Sequence, residues 1–246
     1  MRLRIKFRKY GAVCYIGHLD IMRFFQKAIR RAELDVVYSQ GYSPHQIMAF
    51  AAPLGVGLAS NGEYMDIEVN SMESCRDVLE RLNNVCVPGI EITSVKILPD
   101  HAGNAMASVA AASYTVRFRQ SREPKADIAS LLSGFLSMER IPITKETKKG
   151  VREVDLKQGI YRLEYREGVF HMLLDASSGG NIKPMQVIQA ILSQCGELLQ
   201  ENALEITRED VYTNEGTAEA PEYIPLDAVG FTDKDSESPA WQHNSR

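Results

Sequence analysis

No Cys-x-x-Cys pair and no Cys-x3-Cys-x2-Cys cluster occurs in this chain of 246 residues. Its four cysteines, Cys14, Cys75, Cys86 and Cys195, are scattered. That argues firmly against an iron–sulfur centre on the chain's own thiolates and against a zinc site. No metal and no cofactor is expected, and the thiols should be reduced and mostly packed. Long apolar runs are also missing: none approaches the roughly 20 residues that span a bilayer, so no membrane association is expected. The opening Met1-Arg2-Leu3-Arg4-Ile5-Lys6-Phe7 alternates and lacks the apolar block of a secretion signal. The expected location is cytoplasmic.

What is present is charge, unevenly spread. Residues 1–50 carry nine Lys/Arg against three Asp/Glu, and residues 209–246 carry two against nine. The amino-terminal part would attract polyanions and the acidic end would repel them.

Periodicity gives the organisation. Leu3, Ile5 and Phe7 alternate with Arg4, Lys6 and Arg8, a half-buried strand. A helix is expected from Gly17 to Glu33, with Met22, Phe25, Ile29 and Ala32 along one side and Arg23, Lys27, Arg30 and Arg31 along the other. Strands at Val36–Tyr38 and Glu63–Asn70, a helix over Glu73–Leu82 and a strand at Ile90–Leu98 follow. After a linker at His101–Ala112 the order repeats: a strand at Tyr114–Phe118, a helix opened by Pro124, a hairpin over 161–174, a helix opened by Pro184, and a strand at Leu204–Tyr212. The segment Ile141–Leu156 is surplus and predicts an added strand or a basic hairpin around Lys148-Lys149-Gly150. Strand, helix, strand, strand, helix, strand is the split βαβ unit. The expected fold is therefore α+β: two tandem ferredoxin-like halves, 1–100 and 113–213, antiparallel sheets with helices on one face. Residues 214–246, acidic and without amphipathic period, predict a flexible tail.

Chemistry-bearing residues crowd into two places. Ser39-Gln40-Gly41-Tyr42-Ser43-Pro44-His45 is a turn in which Gly41 and Pro44 restrict the backbone, leaving Tyr42 and His45 to face outward. Gly17-His18-Leu19-Asp20 opens the first helix, where the dipole disfavours imidazolium and leaves His18 a neutral base or ligand. Each has an ordinary reading: a helix start recruits polar side chains, and a turn needs Gly and Pro. The expectation is that Gly17, His18 and Asp20 face Ser39, Gly41, Tyr42, Ser43, Pro44 and His45 across one cleft. Glu63 and Asp66 would form the rim, and a carboxylate there would orient an imidazole. His18, Tyr42 and His45 are the candidates for catalysis. Arg23, with Lys27 and Arg30, is a candidate phosphate contact. On the first strand, Arg4 and Lys6 would share the open sheet face with Asp66 and Glu68, and cross-strand pairing would neutralise much of it. That face also lacks stacking aromatics apart from Tyr64.

The motifs Gly17-His18-Leu19-Asp20, Tyr38 to His45 and Pro53-Leu54-Gly55-Val56-Gly57 resemble, in order, those of a bacterial family of radical SAM-linked (radical SAM-associated) proteins. Weaker echoes lie at Asn181-Ile182-Lys183-Pro184 and Thr207-Arg208-Glu209. Members of that family stand alone or sit fused behind a radical SAM enzyme domain, and this chain looks like the stand-alone form. The resemblance implies a radical SAM enzyme as partner and supplies no reaction. The tandem architecture alone is similar to the endoribonucleases that process CRISPR repeat RNA. Three readings follow: an accessory or substrate-binding module of a radical SAM enzyme acting on RNA or protein, a metal-independent ribonuclease or RNA-modifying enzyme using His18 and His45, and an assembly scaffold.

Overall fold

The computed structural model describes residues 1–147 and 150–233. It is a mixed α+β chain with a mostly antiparallel sheet and four α-helices among the described residues. None of those helices is long and apolar enough to cross a membrane. The chain divides into two compact units, 1–110 with 210–246, and 111–209.

The first unit begins with β1 (Arg2–Lys9), a 3-10 turn (Gly11–Tyr15) and α1 (His18–Arg31). Next come β2 (Met48–Phe50), β3 (Ala59–Glu68), α2 (Cys75–Val85) and β4 (Ile90–Ile97). β1 lies between β3 and β4, antiparallel to both, and β2 pairs with β3. Alternation explains the inner layer: Leu3, Ile5 and Phe7 are buried with Met65, Ile67 and Val69 beneath Ile21, Phe25 and Ile29 of α1 and Val78 and Leu82 of α2. Phe7, Phe25 and Phe50 form an aromatic cluster, with Phe7 and Phe25 centred 4.7 Å apart. Each such ring contributes roughly 1.5–3 kcal/mol of burial. α1 has Asp20 in its first turn and Arg30 and Arg31 in its last, the arrangement its dipole favours. The strand expected at Val36–Tyr38 is reduced to isolated bridges, Val36 with Val69 and Tyr38 with Gln46.

The second unit contains β5 (Ala111–Phe118), α3 (Ile128–Ser137), the hairpin β6 (Pro142–Thr147) and β7 (Gly150–Asp155), then β8 (Ile160–Arg166), β9 (Val169–Asp175) and α4 (Pro184–Ser193). β10 (Leu204–Asn214) gives its residues 204–209 to this unit and 210–214 to the first. The strand order here is β10-β5-β9-β8. α3 does not open at Pro124. It opens at Asp127, whose carboxylate accepts from the Ala129 amide at 3.0 Å, the cap that satisfies an orphan donor. The surplus segment is the β6–β7 hairpin, and its turn at Lys148-Lys149 lies outside the described residues.

The expectation of a flexible tail from 214 needs correction over its first part. β11 (Tyr223–Pro225) pairs with β10, and a 3-10 turn follows at Leu226–Val229. Leu226 is fully buried, and Phe231 exchanges both backbone hydrogen bonds with Ile97. Acidic composition did not prevent ordering, because the carboxylates and carbonyls of this strap meet cations on the sheet. Residues 234–246 lie outside the described part.

Candidate functional site

His18 is the first residue of α1, after Gly17, which provides no side-chain cap. Its imidazole stands edge-on to Phe50 with ring centres 5.2 Å apart. Lys9, Glu63 and Leu54 line the same pocket, whose free space of about 10 Å³ is on the order of one water. Lys9 is 2 % exposed and Glu63 6 % exposed, and the Lys9 ammonium donates to the Ile16 carbonyl at 2.8 Å. Burial pushes the His18 imidazole below its ordinary range; Glu63 acts in the opposite direction and Lys9 in the same one. The ring is therefore held toward its neutral form in an apolar wall with two buried charges. The Gly57 amide donates to the Cys14 carbonyl at 2.9 Å, so the motif at 53–57 and the approach to α1 are joined by backbone.

The pleat decides which carboxylate belongs here. Along β3, Glu63 shares its side with Met65 and Ile67, the face under the helices, whereas Asp66 points the other way. Asp66 sits opposite Arg4 and takes both its Nε (2.8 Å) and Nη2 (2.9 Å) donors. The expected rim of Glu63 with Asp66 is thus split between two faces of the sheet. Sequence reading missed Lys9. Its signal was parity: Lys9 continues the Leu3, Ile5, Phe7 series, a cation on the inward side of a strand.

The turn at 39–46 is a separate construction. Ser39 Oγ lies 2.8 Å from His45 Nδ1 and accepts from the His45 amide at 3.1 Å, and the Ser39 amide donates to the His45 carbonyl at 2.8 Å. Gly41 adopts φ +116°, a left-handed conformation that favours glycine. Tyr42 is fully exposed, and Ser43, Pro44 and His45 are exposed. His45 is not among the residues lining the His18 pocket; its Nδ1 meets Ser39 within its own turn. His18 thus lines a small pocket with Lys9 and Glu63, whereas His45 meets Ser39 on the exposed turn. The turn is tied to α1, because Gln46 Nε2 donates to the Gln26 carbonyl at 3.2 Å.

The cations divide in the same way. Arg4 is 1 % exposed and also donates to the carbonyls of Leu226 and Gly103. The Lys6 ammonium lies 2.7 Å from Asp210 and 3.8 Å from Asp227. Between those carboxylates the Tyr64 hydroxyl donates to Asp210 at 2.6 Å and lies 3.2 Å from Asp227. Burial, then Asp210 and Asp227, push that phenol far above its ordinary range. Arg8 pairs with Glu91. Arg4, Lys6 and Arg8 of β1 are therefore each held by carboxylate partners. On α1, Arg23 pairs with Asp20 across one turn, while Lys27, Arg30 and Arg31 are exposed and unpaired among the described residues. No group of three or more His, Cys, Asp or Glu side chains among the described residues is placed to hold a metal ion.

No curated protein matches the chain in sequence. The model of a family described as "Uncharacterized protein conserved in bacteria (DUF2344)" matches residues 2–184, from the first strand through the start of α4, and with well over half its length inside that match the chain belongs to this family.

Proposed function

We propose that the chain is a substrate-binding accessory module working beside a radical SAM enzyme, and that it holds RNA on the outer edge of α1 and the turn at 39–45. The observation that carries this reading is the Gln46–Gln26 tie. It sets the exposed Tyr42 turn beside α1, and at 3.6 residues per turn Arg23 and Arg30 occupy the helix edge next to Gln26. Cations along one edge suit a phosphate backbone, and an exposed tyrosine on a held turn suits an unstacked base. The partner enzyme is supported by the resemblance of the 17–20, 38–45 and 53–57 motifs to radical SAM-linked proteins. The ferredoxin-like reading of each half belongs to the same proposal, supported by β1 lying between β4 and β3 with β2 paired to β3 and by the strand order β10-β5-β9-β8.

The test is the anisotropy of a labelled single-stranded RNA titrated with the full chain at two salt concentrations. Salt-dependent binding is expected. Replacing Arg23, Lys27 and Arg30 together by Gln should weaken it and lower the salt slope by about 0.7 per lost contact. Salt-independent binding, or a triple variant that binds like the parent, would remove RNA from the proposal. Capture of a radical SAM enzyme from the native cell without RNA would replace RNA by a protein substrate.

A further inference from the structure

A second cavity lies away from α1, at the end of the first unit where β4 leaves the sheet. It is a half-open cleft of about 710 Å³, within the range of small-molecule sites. Its apolar wall comes from Ile97, Leu98 and Pro99 on one side and Ile224, Val229 and Phe231 of the strap on the other. Arg2, Asp100, His101 and Glu215 also line it.

Arg2 is the fixed member. Its Nη2 donates to the carbonyls of Pro99 (3.2 Å), Asp100 (3.2 Å) and Ala102 (2.7 Å). Three acceptors on one nitrogen immobilise the guanidinium plane, while Nε and Nη1 make no hydrogen bond among the described residues. A guanidinium held in this way loses little freedom when one of its remaining donors meets an oxygen of an oxyanion. The carboxylates of Asp100 and Glu215 and the ring of His101 likewise have no hydrogen bond or ion pair among the described residues. The cavity thus combines an apolar wall with one fixed cation, one imidazole and two carboxylates.

We propose that this cavity binds a small zwitterion with an apolar body, of amino-acid type, its acid group on Arg2 and His101 and its amine on Asp100 and Glu215. Charge complementarity selects that class. A simple anion would lie close to two carboxylates, and a simple cation would lie close to an arginine that cannot turn away. A molecule carrying both charges satisfies both sets while its body covers Val229 and Phe231. The ligand closes no bond and needs no metal. It also touches nothing on α1 or the 39–45 turn, so this proposal and the RNA proposal stand or fall separately.

The experiment is a titration of the full chain followed by amide chemical shifts. The probes are L-tryptophan and its two charge-deleted analogues, tryptamine and indole-3-propionate. L-Tryptophan is expected to give saturable shifts at Val229, Phe231 and His101 in the millimolar range or below, with both analogues weaker. Glu215→Gln alters an exposed side chain with no partner among the described residues and should leave the spectrum folded. It should weaken L-tryptophan about tenfold, the scale of one charge-assisted hydrogen bond, and leave indole-3-propionate no weaker than before. Asp100→Asn serves as the second variant, because Arg2 itself also anchors the 99–102 loop. Absence of saturable shifts with L-tryptophan would overturn the proposal. So would an analogue that binds as tightly as the zwitterion, or a Glu215→Gln chain that binds L-tryptophan unchanged.

Discussion

The two units handle polarity differently. Among the described residues, Arg4, Lys9, Gln46, Ser60, Glu63, Asp66 and Thr213 are buried polar side chains of the first unit, and Arg208 is the one in the second. The second unit carries exposed ion pairs, as with Arg117 and Glu205, 65 % and 40 % exposed, or Arg162 and Glu164. Its core is Val116, Leu132, Phe135, Phe170, Leu174 and Ile188 with no charge among them. The first unit places charge on both faces of one sheet: Lys9 and Glu63 beneath the helices, and Arg4, Lys6 and Asp66 beneath the strap. A buried charge costs several kcal/mol unless paired, so a fold that keeps many of them depends on its partners being in place. The three principal motif segments, 17–20, 38–45 and 53–57, lie in this same unit, and the weaker echoes at 181–184 and 207–209 in the second.

That difference can be broken first at the strap. Ending the chain at Gly216 removes fully buried Leu226, the carbonyl bonded to Arg4 and the carboxylate of Asp227 beside Tyr64. The expected loss is at least the roughly 3 kcal/mol of one emptied leucine site, read as a lower midpoint in urea. A midpoint unchanged by truncation would mean that the strap only rests on the sheet. Next in size is the Arg4–Asp66 pair. Asp66→Asn should cost about 3–5 kcal/mol because it leaves a buried guanidinium half-paired. The double change Arg4→Met with Asp66→Leu should recover most of that loss. In the second unit Arg117→Ala should change stability by less than about 1 kcal/mol, and equal losses at Arg4 and Arg117 would erase the contrast.

A smaller effect is expected from pH. Folding lowers the His18 pKa from its ordinary value of 6.5, so the unfolded chain binds more protons there. Stability from this group is complete above the unfolded pKa and falls as pH drops through it toward the folded value. His18→Gln should flatten the acid limb of the stability–pH curve without moving the plateau, and a steeper limb would reverse the sign assigned here. The smallest effect belongs to the open turn. His45→Ala and Tyr42→Ala should each leave stability within about 0.5 kcal/mol while weakening RNA binding. A larger loss at Tyr42 would show that the turn holds the core rather than presenting a surface.

The sequence by itself determined most of the strands and helices and which of their residues face inward, but not the segment at 36–50, where β2 lies at Met48–Phe50 and Val36–Tyr38 makes only isolated bridges. Alternation in Leu3 to Phe7 and the helical spacing of Phe25, Ile29 and Ala32 are local periods that burial enforces one residue at a time. It also carried the sign that something unusual sits at the start of α1, since Lys9 and Glu63 fall on apolar parity. The pairing of Arg4 with Asp66 was legible as well, because neighbouring strands with opposite charges on one face leave little choice. Partners far along the chain were not legible. Tyr64 reaches Asp210 and Asp227, 146 and 163 residues away, and no local pattern distinguishes those carboxylates from others in an acidic stretch. Nor could a pattern separate His18 from His45. Both sit beside turn residues, and only the path of the chain decides that one ring enters a wall of phenylalanine while the other closes on Ser39. Periodicity gives the face of a residue; the tertiary structure gives its partner, because charges and hydrogen bonds act between atoms brought together by the whole fold.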